Sequence, residues 1–315
     1  MVKKYPDILV QRVNELYHDL IGEQYDDSHP EIFKRLPKRW KRLAKQFLSN
    51  HTQPLTILDL GTGTGFVPLI VSHFLKKEDT FICSDISEKV LEVAKTQITK
   101  RNFPNKFKYV KVKAQVPYKL PFRDRSVDVV TVNSMLHHIK ETGNFLKEVD
   151  RVLKVGGLVF IAHEPNQYFH QNSLLKFQAL ILRTFLCPRQ TITRAARKLG
   201  LMPVLEYFYY RFTPPKINNH KICREINRIL LTERLIEEPI RVQEIKKITD
   251  VQVASGFKPH LILPDYMLLQ FQTYNHLSDE IAKKYHGRLV RGYESFLEKI
   301  YPTSGNQLFM IKKKE

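Results

Sequence analysis

The chain has few cysteines and no long apolar run. These two features limit the classes of protein to which it can belong. Its three cysteines, Cys83, Cys187 and Cys223, are scattered. Neither a disulfide framework nor a zinc site with close ligand spacing is indicated, so we predict no metal. No segment reaches the roughly 18 uninterrupted apolar residues of a membrane span. Polar residues follow Met1 too soon for a secretory signal, so we expect a cytoplasmic location.

Acidic residues are scarce relative to basic ones. The chain has 32 Asp and Glu against 51 Lys and Arg, a formal net charge of +19 over 315 residues. Such an excess favours contact with something anionic, whether nucleic acid, an acidic membrane surface or a charged small molecule. Charge does not choose among them. The length suits a catalytic core that carries insertions.

Glycine is also scarce, with 12 residues, yet three glycines fall within five positions at Gly61, Gly63 and Gly65. They follow an apolar run that contains Asp59, and Asp85 ends the next apolar run. A strand that opens through glycines into a helix brings backbone close to an adenosine-type cofactor, and the later acid is placed to bind ribose hydroxyls. Glycine permits positive φ and leaves no Cβ against the ligand.

Three kinds of nucleotide loop compete at this motif. A phosphate-binding loop needs Lys and Ser or Thr after its last glycine, where this chain has Phe66 and Val67. A dinucleotide loop wants its third glycine at position 66, and Asp59 would repel the pyrophosphate. S-adenosylmethionine (SAM) has no phosphate and carries positive charge, so Asp59 favours it. Its carboxylate would then accept N–H groups at the helix N-terminus.

The chain resembles a class I SAM-dependent methyltransferase. Asp59 to Gly65 has the acid-x-Gly-x-Gly-x-Gly signature of that family, and further matching segments lie at 120–130, 136–139 and 148–157. Together they cover roughly residues 55 to 162. The resemblance implies SAM as the cofactor, with these residues binding it: Asp59, Gly61, Thr62, Gly63, Gly65, Asp85, Ile86 and Asn133.

One position departs from the family pattern. Many members place an Asp a few residues before the Leu120-Pro121-Phe122 element, where it binds the adenine amine. This chain reads Lys113-Ala114-Gln115 there. We predict that the Gln115 amide, which carries both an acceptor and a donor, takes that role.

Methyl transfer is a direct displacement, so the enzyme mainly aligns the reactants in a desolvated site. A base is needed only if the acceptor must lose a proton. His138, after the fourth strand, and His163 with Glu164, at the end of the fifth, are the candidate catalytic residues. Imidazole titrates near neutrality and suits this task. A structural or orienting role remains the alternative for each.

The alternation of apolar strands and helices predicts an α/β fold, doubly wound, with a mostly parallel seven-stranded sheet, a helical N-terminal cap and helical lid insertions. The closing strand is expected at 307–312. The predicted divisions are a cap at 1–50, a Rossmann-like SAM-binding core at 51–165, a helical and aromatic lid insertion at 166–240, and a C-terminal completion of the sheet at 241–315 with a helical insert at about 265–302.

Three segments of the cap and lid have two interpretations each. The apolar run 174–186 and the aromatic run 207–212 are either buried packing or a substrate lid or membrane-surface face. The basic helix around Trp40 is either a solvated helix anchored by Trp40 or a phosphate-binding surface. By the resemblance, Tyr17 or Tyr25 lines the cover of the cofactor.

The function predicted from these features is methyl transfer from SAM to a small-molecule or lipid-like acceptor beneath the 166–240 insertion. An RNA methyltransferase that uses the basic N-terminal helix, and a non-catalytic interaction module, are the alternatives. Nucleic acid is not favoured, because the chain has no Asn-Pro-Pro-Tyr or Asp-Pro-Pro-Tyr segment. Peripheral membrane contact stays open. The acceptor and the methylated atom are not readable from the sequence.

Overall fold

A computed structural model describes residues 5–28, 30–186, 219–253, 255–276 and 288–315. Seven strands form one sheet in the order β3-β2-β1-β4-β5-β7-β6. Strands β1 to β5 pair in parallel, and β7 runs antiparallel to both of its neighbours. The predicted fold class is confirmed. The strands are β1 (Thr56–Leu60), β2 (Thr80–Asp85), β3 (Lys106–Lys111), β4 (Val127–Asn133), β5 (Leu153–Pro165), β6 (Met267–Tyr274) and β7 (Gln307–Lys313).

Helices cover both faces of the sheet, as near-continuous apolar parallel strands require. One core cluster joins Ile57 of β1 to Trp40 and Leu91, and a second joins Leu58 of β1 to Phe145 and Val149. Alternate residues of β1 therefore face opposite layers. The helices, numbered among the described residues, are α1 (Asp7–Ile21), α2 (Tyr25–Ser28), α3 (Pro30–Leu48), α4 (Phe66–Val71), α5 (Glu88–Thr99), α6 (Thr142–Val152), α7 (Gln167–Gln171), α8 (Ser173–Leu186), α9 (Asn219–Thr232), α10 (Val242–Thr249) and α11 (Arg288–Ile300).

The range predicted as an N-terminal cap divides between two layers. Helix α3 packs on the sheet through Trp40, which is fully buried. Helix α1 instead shares a separate apolar cluster with α9 and α10, in which Val13, Ile226 and Ile248 are buried. Arg12 of α1 is also paired with Glu233 at 2.5 Å. The first helix therefore packs as one unit with α9 of the insertion and with α10.

Two strands differ from the expected boundaries. Strand β5 begins at Leu153 rather than near residue 158, and β6 occupies 267–274, inside the range predicted for a helical insert. The strand was missed because Gln270 and Gln272 interrupt its apolar residues, and only its last two residues, Thr273 and Tyr274, are buried. Within the range of the predicted insert, the helix that the structure describes is α11.

The apolar run 174–186 lies within α8, whereas the aromatic run 207–212 falls outside the described residues. Among the helices of the described residues, not one combines the length and the hydropathy needed to cross a bilayer. The cytoplasmic location stays a prediction.

Candidate cofactor pocket

The turn after β1 is a left-handed backbone segment that favours glycine. Gly61, Gly63 and Gly65 have φ of 72°, 54° and 99°. The backbone N–H groups of Gly61 and Thr62 both donate to the carbonyl of Ser84 at 2.9 Å, which ties the turn to the end of β2. A Cβ at Gly61 would stand 2.4 Å from the Met135 side chain. The sequence motif therefore reflects both backbone conformation and close packing.

Gly63 lines a cavity at the carboxyl ends of β1, β2 and β4. No protein atom lies within 4 Å of the position that a Cβ would take there. The cavity, including its opening to solvent, measures about 1010 Å³. An approach by a ligand to this bare backbone is thus unobstructed, which fits an adenosyl group.

Asp85 lies beneath the same turn and is buried. One carboxylate oxygen accepts the N–H of Gly63 at 2.9 Å, and the other accepts the N–H of Ser87 at 2.9 Å. Burial raises the pKa of Asp85 to about 6, against the lowering effect of these backbone donors. Its position on the cavity wall keeps the predicted contact with ribose geometrically open.

Asp59 is more deeply buried and less completely bonded. One of its oxygens accepts the hydroxyl of Thr131 at 2.5 Å, whereas Oδ2 has no hydrogen-bond partner among the residues that the structure describes. Burial raises the pKa of Asp59 to about 7, and the charge of Asp85 acts in the same direction. Asp59 stands behind the wall formed by Leu60 and Gly61. An under-satisfied buried carboxylate here suits a ligand that brings positive charge.

The cavity wall contains seven of the predicted site residues and not the other five. Those on the wall are Gly61, Thr62, Gly63, Asp85, Ile86, Asn133 and His138. Those outside it are Asp59, Gly65, Gln115, His163 and Glu164.

Gln115 reaches the cavity only through another residue. Its backbone N–H and carbonyl bond the side chain of Gln11 at 3.0 Å each, and its own amide donates to the carbonyl of Lys119. Gln11 lines the cavity with Asn14 and Tyr118. Sequence reasoning missed these three. For Gln11 and Asn14 no sequence signal marks the contact, because α1 reaches the loop after β3 from about 100 residues away.

Polar contacts hold the N-terminal segment over the cofactor loop. The hydroxyl of Thr64 donates to Asp26 at 2.5 Å, and that of Ser87 donates to Asp19 at 2.6 Å. Tyr25 lines the cavity, as the resemblance implied for Tyr17 or Tyr25; Tyr17 is not on the wall. These contacts place the N-terminal segment against the cofactor loop.

Glu164 organises the segment after β4. Its carboxylate accepts the backbone N–H groups of Met135, Leu136 and His137 and also bonds the His137 ring, with all four distances between 2.7 and 3.1 Å. The side chain is fully buried. Because its oxygens are engaged by this segment, Glu164 acts as a positioning residue for Met135, which lines the cavity.

His138 faces the cavity, and its Nδ1 lies 2.5 Å from the carbonyl oxygen of Thr249. A carbonyl only accepts, so Nδ1 carries the proton and the neutral ring has its basic lone pair on Nε2. The other candidate, His163, instead stacks on Tyr274 and has Nδ1 3.1 Å from the Tyr274 hydroxyl. Of the two histidines, His138 is the one on the wall.

Asn133 is oriented by the tryptophan of α3. The indole N–H of Trp40 donates to Asn133 Oδ1 at 3.0 Å, and the Trp40 ring stacks on Phe160. The sequence interpretation of Trp40 as a core anchor is thus only part of its role.

One group of possible metal ligands occurs among the described residues. A ligand atom from each of His137, His138 and Asp250 lies within 4.8 Å of the others. Both imidazoles already bond protein groups, His137 to Glu164 and His138 to Thr249. The two histidines are therefore part of the hydrogen-bonded segment after β4, and of the three residues only His138 lines the cavity.

Part of the chain is similar in sequence to known methyltransferases. Residues 58–161 match the family described as methyltransferase domain. The ubiquinone/menaquinone biosynthesis C-methyltransferase UbiE of Shewanella baltica is 26% identical over 155 residues, 49% of this chain and 60% of that protein. The chain therefore spans less than two thirds of the length of the curated relatives it matches.

Solved structures similar to this chain include a SAM-dependent methyltransferase from Aquifex aeolicus, with 23% identity, a TM-score of 0.32, and coverage of 41% of this chain and 73% of that one. The YcgJ protein of Bacillus subtilis has 14% identity and a TM-score of 0.39, and the match covers 88% of this chain and 99% of that one.

Replacing Gly63 separates ligand contact from backbone strain. Gly63→Ala places a methyl group in the cavity, so we expect the affinity for SAM, measured by calorimetry, to fall about tenfold or more. Gly156→Ala is the matched control, because Gly156 also has positive φ, 77°, with no atom within 4 Å of a Cβ, and does not line the cavity. Both changes should lower stability by roughly 1–2 kcal/mol. Equal SAM affinity in the two variants would contradict the cofactor site.

Titration of Asp59 gives a pH prediction. Its raised pKa means that the folded protein holds a proton that the unfolded chain loses, so stability declines as pH rises from about 4 to about 7. SAM affinity should change oppositely and rise through pH 7, as the carboxylate charges. Asp59→Asn should reduce the change in both melting temperature and calorimetric affinity, leaving the part below about pH 6 that Asp85 contributes.

Thr131→Val provides the control for this assignment. The Thr131 hydroxyl lowers the pKa of Asp59, so its removal should shift the rise in affinity to higher pH. An unchanged midpoint in Thr131→Val would show that another group controls the titration.

Proposed function

We propose, from the premise that the chain belongs to the class I SAM-dependent methyltransferases, that it transfers a methyl group to a small organic or lipid-like acceptor. The observation that carries this proposal is the cavity over Gly63, with bare backbone on its wall and the unpartnered Oδ2 of Asp59 behind it. SAM, when bound, supplies a methyl group activated by a sulfonium.

The residues of this chain supply position and exclusion of water. The glycine turn and Asp85 hold the adenosyl end, and Asp59 favours the positively charged end electrostatically. Gln11, Asn14 and the α1 helix close the other side of the cavity. Displacement in such a covered site needs little beyond alignment.

The character of the wall supports an organic acceptor. Apolar side chains face the cavity beside His138, among them Phe66, Val112, Met135 and Ile139. The similar UbiE proteins are named for ubiquinone and menaquinone biosynthesis, which supports a lipid-like acceptor of related chemistry. The matched region covers only part of those proteins.

His138 is the base in this proposal. Nε2 would take the proton that the acceptor loses on receiving the methyl group from SAM. The Thr249 carbonyl fixes the tautomer that makes this transfer feasible, by accepting a hydrogen bond from Nδ1–H. His163 and Glu164 lie outside the cavity wall. In this proposal they position the residues that they contact and do not act as the base.

The RNA alternative draws less support from α3. Trp40 is buried, and Arg39 and Arg42 both donate to the side chain of Gln272. Lys41 and Lys45 are exposed, so an RNA-binding surface on α3 stays a prediction.

Transfer of isotopically labelled methyl groups tests the function. The full chain, labelled SAM and a cell extract separated into lipid, small-molecule, RNA and protein fractions should yield label in a lipid or small-molecule fraction. Gly63→Arg, which fills the cavity, should yield none. Label in RNA would favour the RNA alternative, and no label in any fraction would favour a non-catalytic interaction module.

His138→Asn tests the base. The Asn amide replaces Nδ1–H towards the Thr249 carbonyl but offers nothing at the Nε2 position, so kcat should fall about 10²- to 10⁴-fold with SAM affinity unchanged. His137→Asn is the matched control, since His137 does not line the cavity. Equal kcat for His138→Asn and the original chain would assign His138 a structural role.

A further inference from the structure

Helix α8 exposes an apolar stripe to solvent. Leu174, Phe177 and Ile181 are 51%, 58% and 40% exposed, and their spacing of three and four residues puts them on one helix face. Leu180, beside them, is also exposed. Single exposed apolar residues are ordinary, but a stripe of large ones marks an interaction surface.

Helix α11 carries a second stripe with the same spacing. Tyr293, Phe296 and Ile300 are exposed, and the rings of Tyr293 and Phe296 stack with centroids 6.2 Å apart. Leu297 of α11 is buried in one cluster with Leu175 and Ala179 of α8. The two stripes therefore belong to one packed helix pair.

The charge around the stripes is positive. Both acids of α11 are engaged within the protein, Glu294 with His276 and Glu298 with Arg39. Helix α8 contains no acidic residue. Lys176 on α8 and Lys299 on α11 are exposed, and neither forms a salt bridge with any residue that the structure describes.

We propose that α8 and α11 bind the surface of a bilayer that contains anionic lipids. Apolar stripes on helices edged by lysine match the helices that lie in the headgroup region, and the net charge of +19 strengthens attraction to that surface. A protein partner would need acidic side chains arranged around an apolar groove, whereas a bilayer offers both features without a specific arrangement.

Helix α8 lies near the edge of the sheet on which the cavity opens. Helices α7 and α8 follow directly on the carboxyl end of β5, the sheet edge on which the cavity opens. If the proposed transfer to a lipid-like acceptor holds, docking brings that edge towards the source of acceptor. The binding surface itself does not rest on the proposed function.

Vesicle co-sedimentation of the full chain tests the proposal without reference to activity. Binding to phosphatidylcholine vesicles should be weak, and binding to vesicles that also contain phosphatidylglycerol should be strong and should weaken with salt. The double variant Phe177→Gln, Phe296→Gln should lose about tenfold or more in partitioning. Lys176→Gln and Lys299→Gln should each lose about fivefold.

Matched controls lie on other helices. Leu231→Gln removes an exposed apolar residue of α9, and Lys95→Gln removes an exposed lysine of α5. Both should bind vesicles as the original chain does, and all variants should keep their melting temperature and SAM affinity. Equal vesicle binding by the Phe double variant, or no binding to anionic vesicles, would overturn the proposal. A dimer abolished by the Phe double variant, without vesicle binding, would assign the surface to a second copy of the chain instead.

Discussion

The candidate site depends on how one residue of β2 holds the turn after β1. The carbonyl of Ser84 accepts two N–H groups of the turn, its N–H donates to the hydroxyl of Thr62 at 3.0 Å, and its own hydroxyl donates to the carbonyl of Asp59 at 2.8 Å. Buried backbone groups require partners, and here a neighbouring strand supplies them. The glycine turn is thereby rigid before any ligand arrives, so binding need not order it.

Three buried carboxylates near this turn differ in how far they are satisfied. Glu164 is fully engaged with backbone N–H groups and His137, and Asp85 accepts one N–H on each oxygen. Asp59 has a bonded oxygen and an orphan one. A buried carboxylate oxygen without a hydrogen bond destabilises the empty protein and favours the binding of a cationic ligand. Glu164 and Asp85 thus hold backbone segments next to the cavity, whereas Asp59 keeps an oxygen with no partner among the described residues.

The sequence was sufficient to predict those elements of the site that are formed by contiguous residues. The strands β1, β2 and β4 and the glycine turn were predictable because their apolar runs and glycines are contiguous. Gln11 on the wall was not, since it reaches Gln115 across 104 positions. The sequence identified Glu164 as a candidate site residue but did not predict which way its side chain points. The face of β5 on which a side chain lies depends on a register shift against β7, between Ala162 and Glu164. His163, with φ of 58°, lies at that irregularity and is turned towards Tyr274.

The helix that covers the cavity packs on two later helices, α9 of the insertion and α10. Helix α1 presents Gln11 and Asn14 to the cavity, while its apolar side packs on α9 and α10. Tyr5, just before α1, also donates to Glu244 of α10 at 3.1 Å. Helix α1 therefore contacts both the cavity and these two helices, with no other element between them. A part of the chain that its motifs do not predict thus packs on the helix that lines the part they predict best.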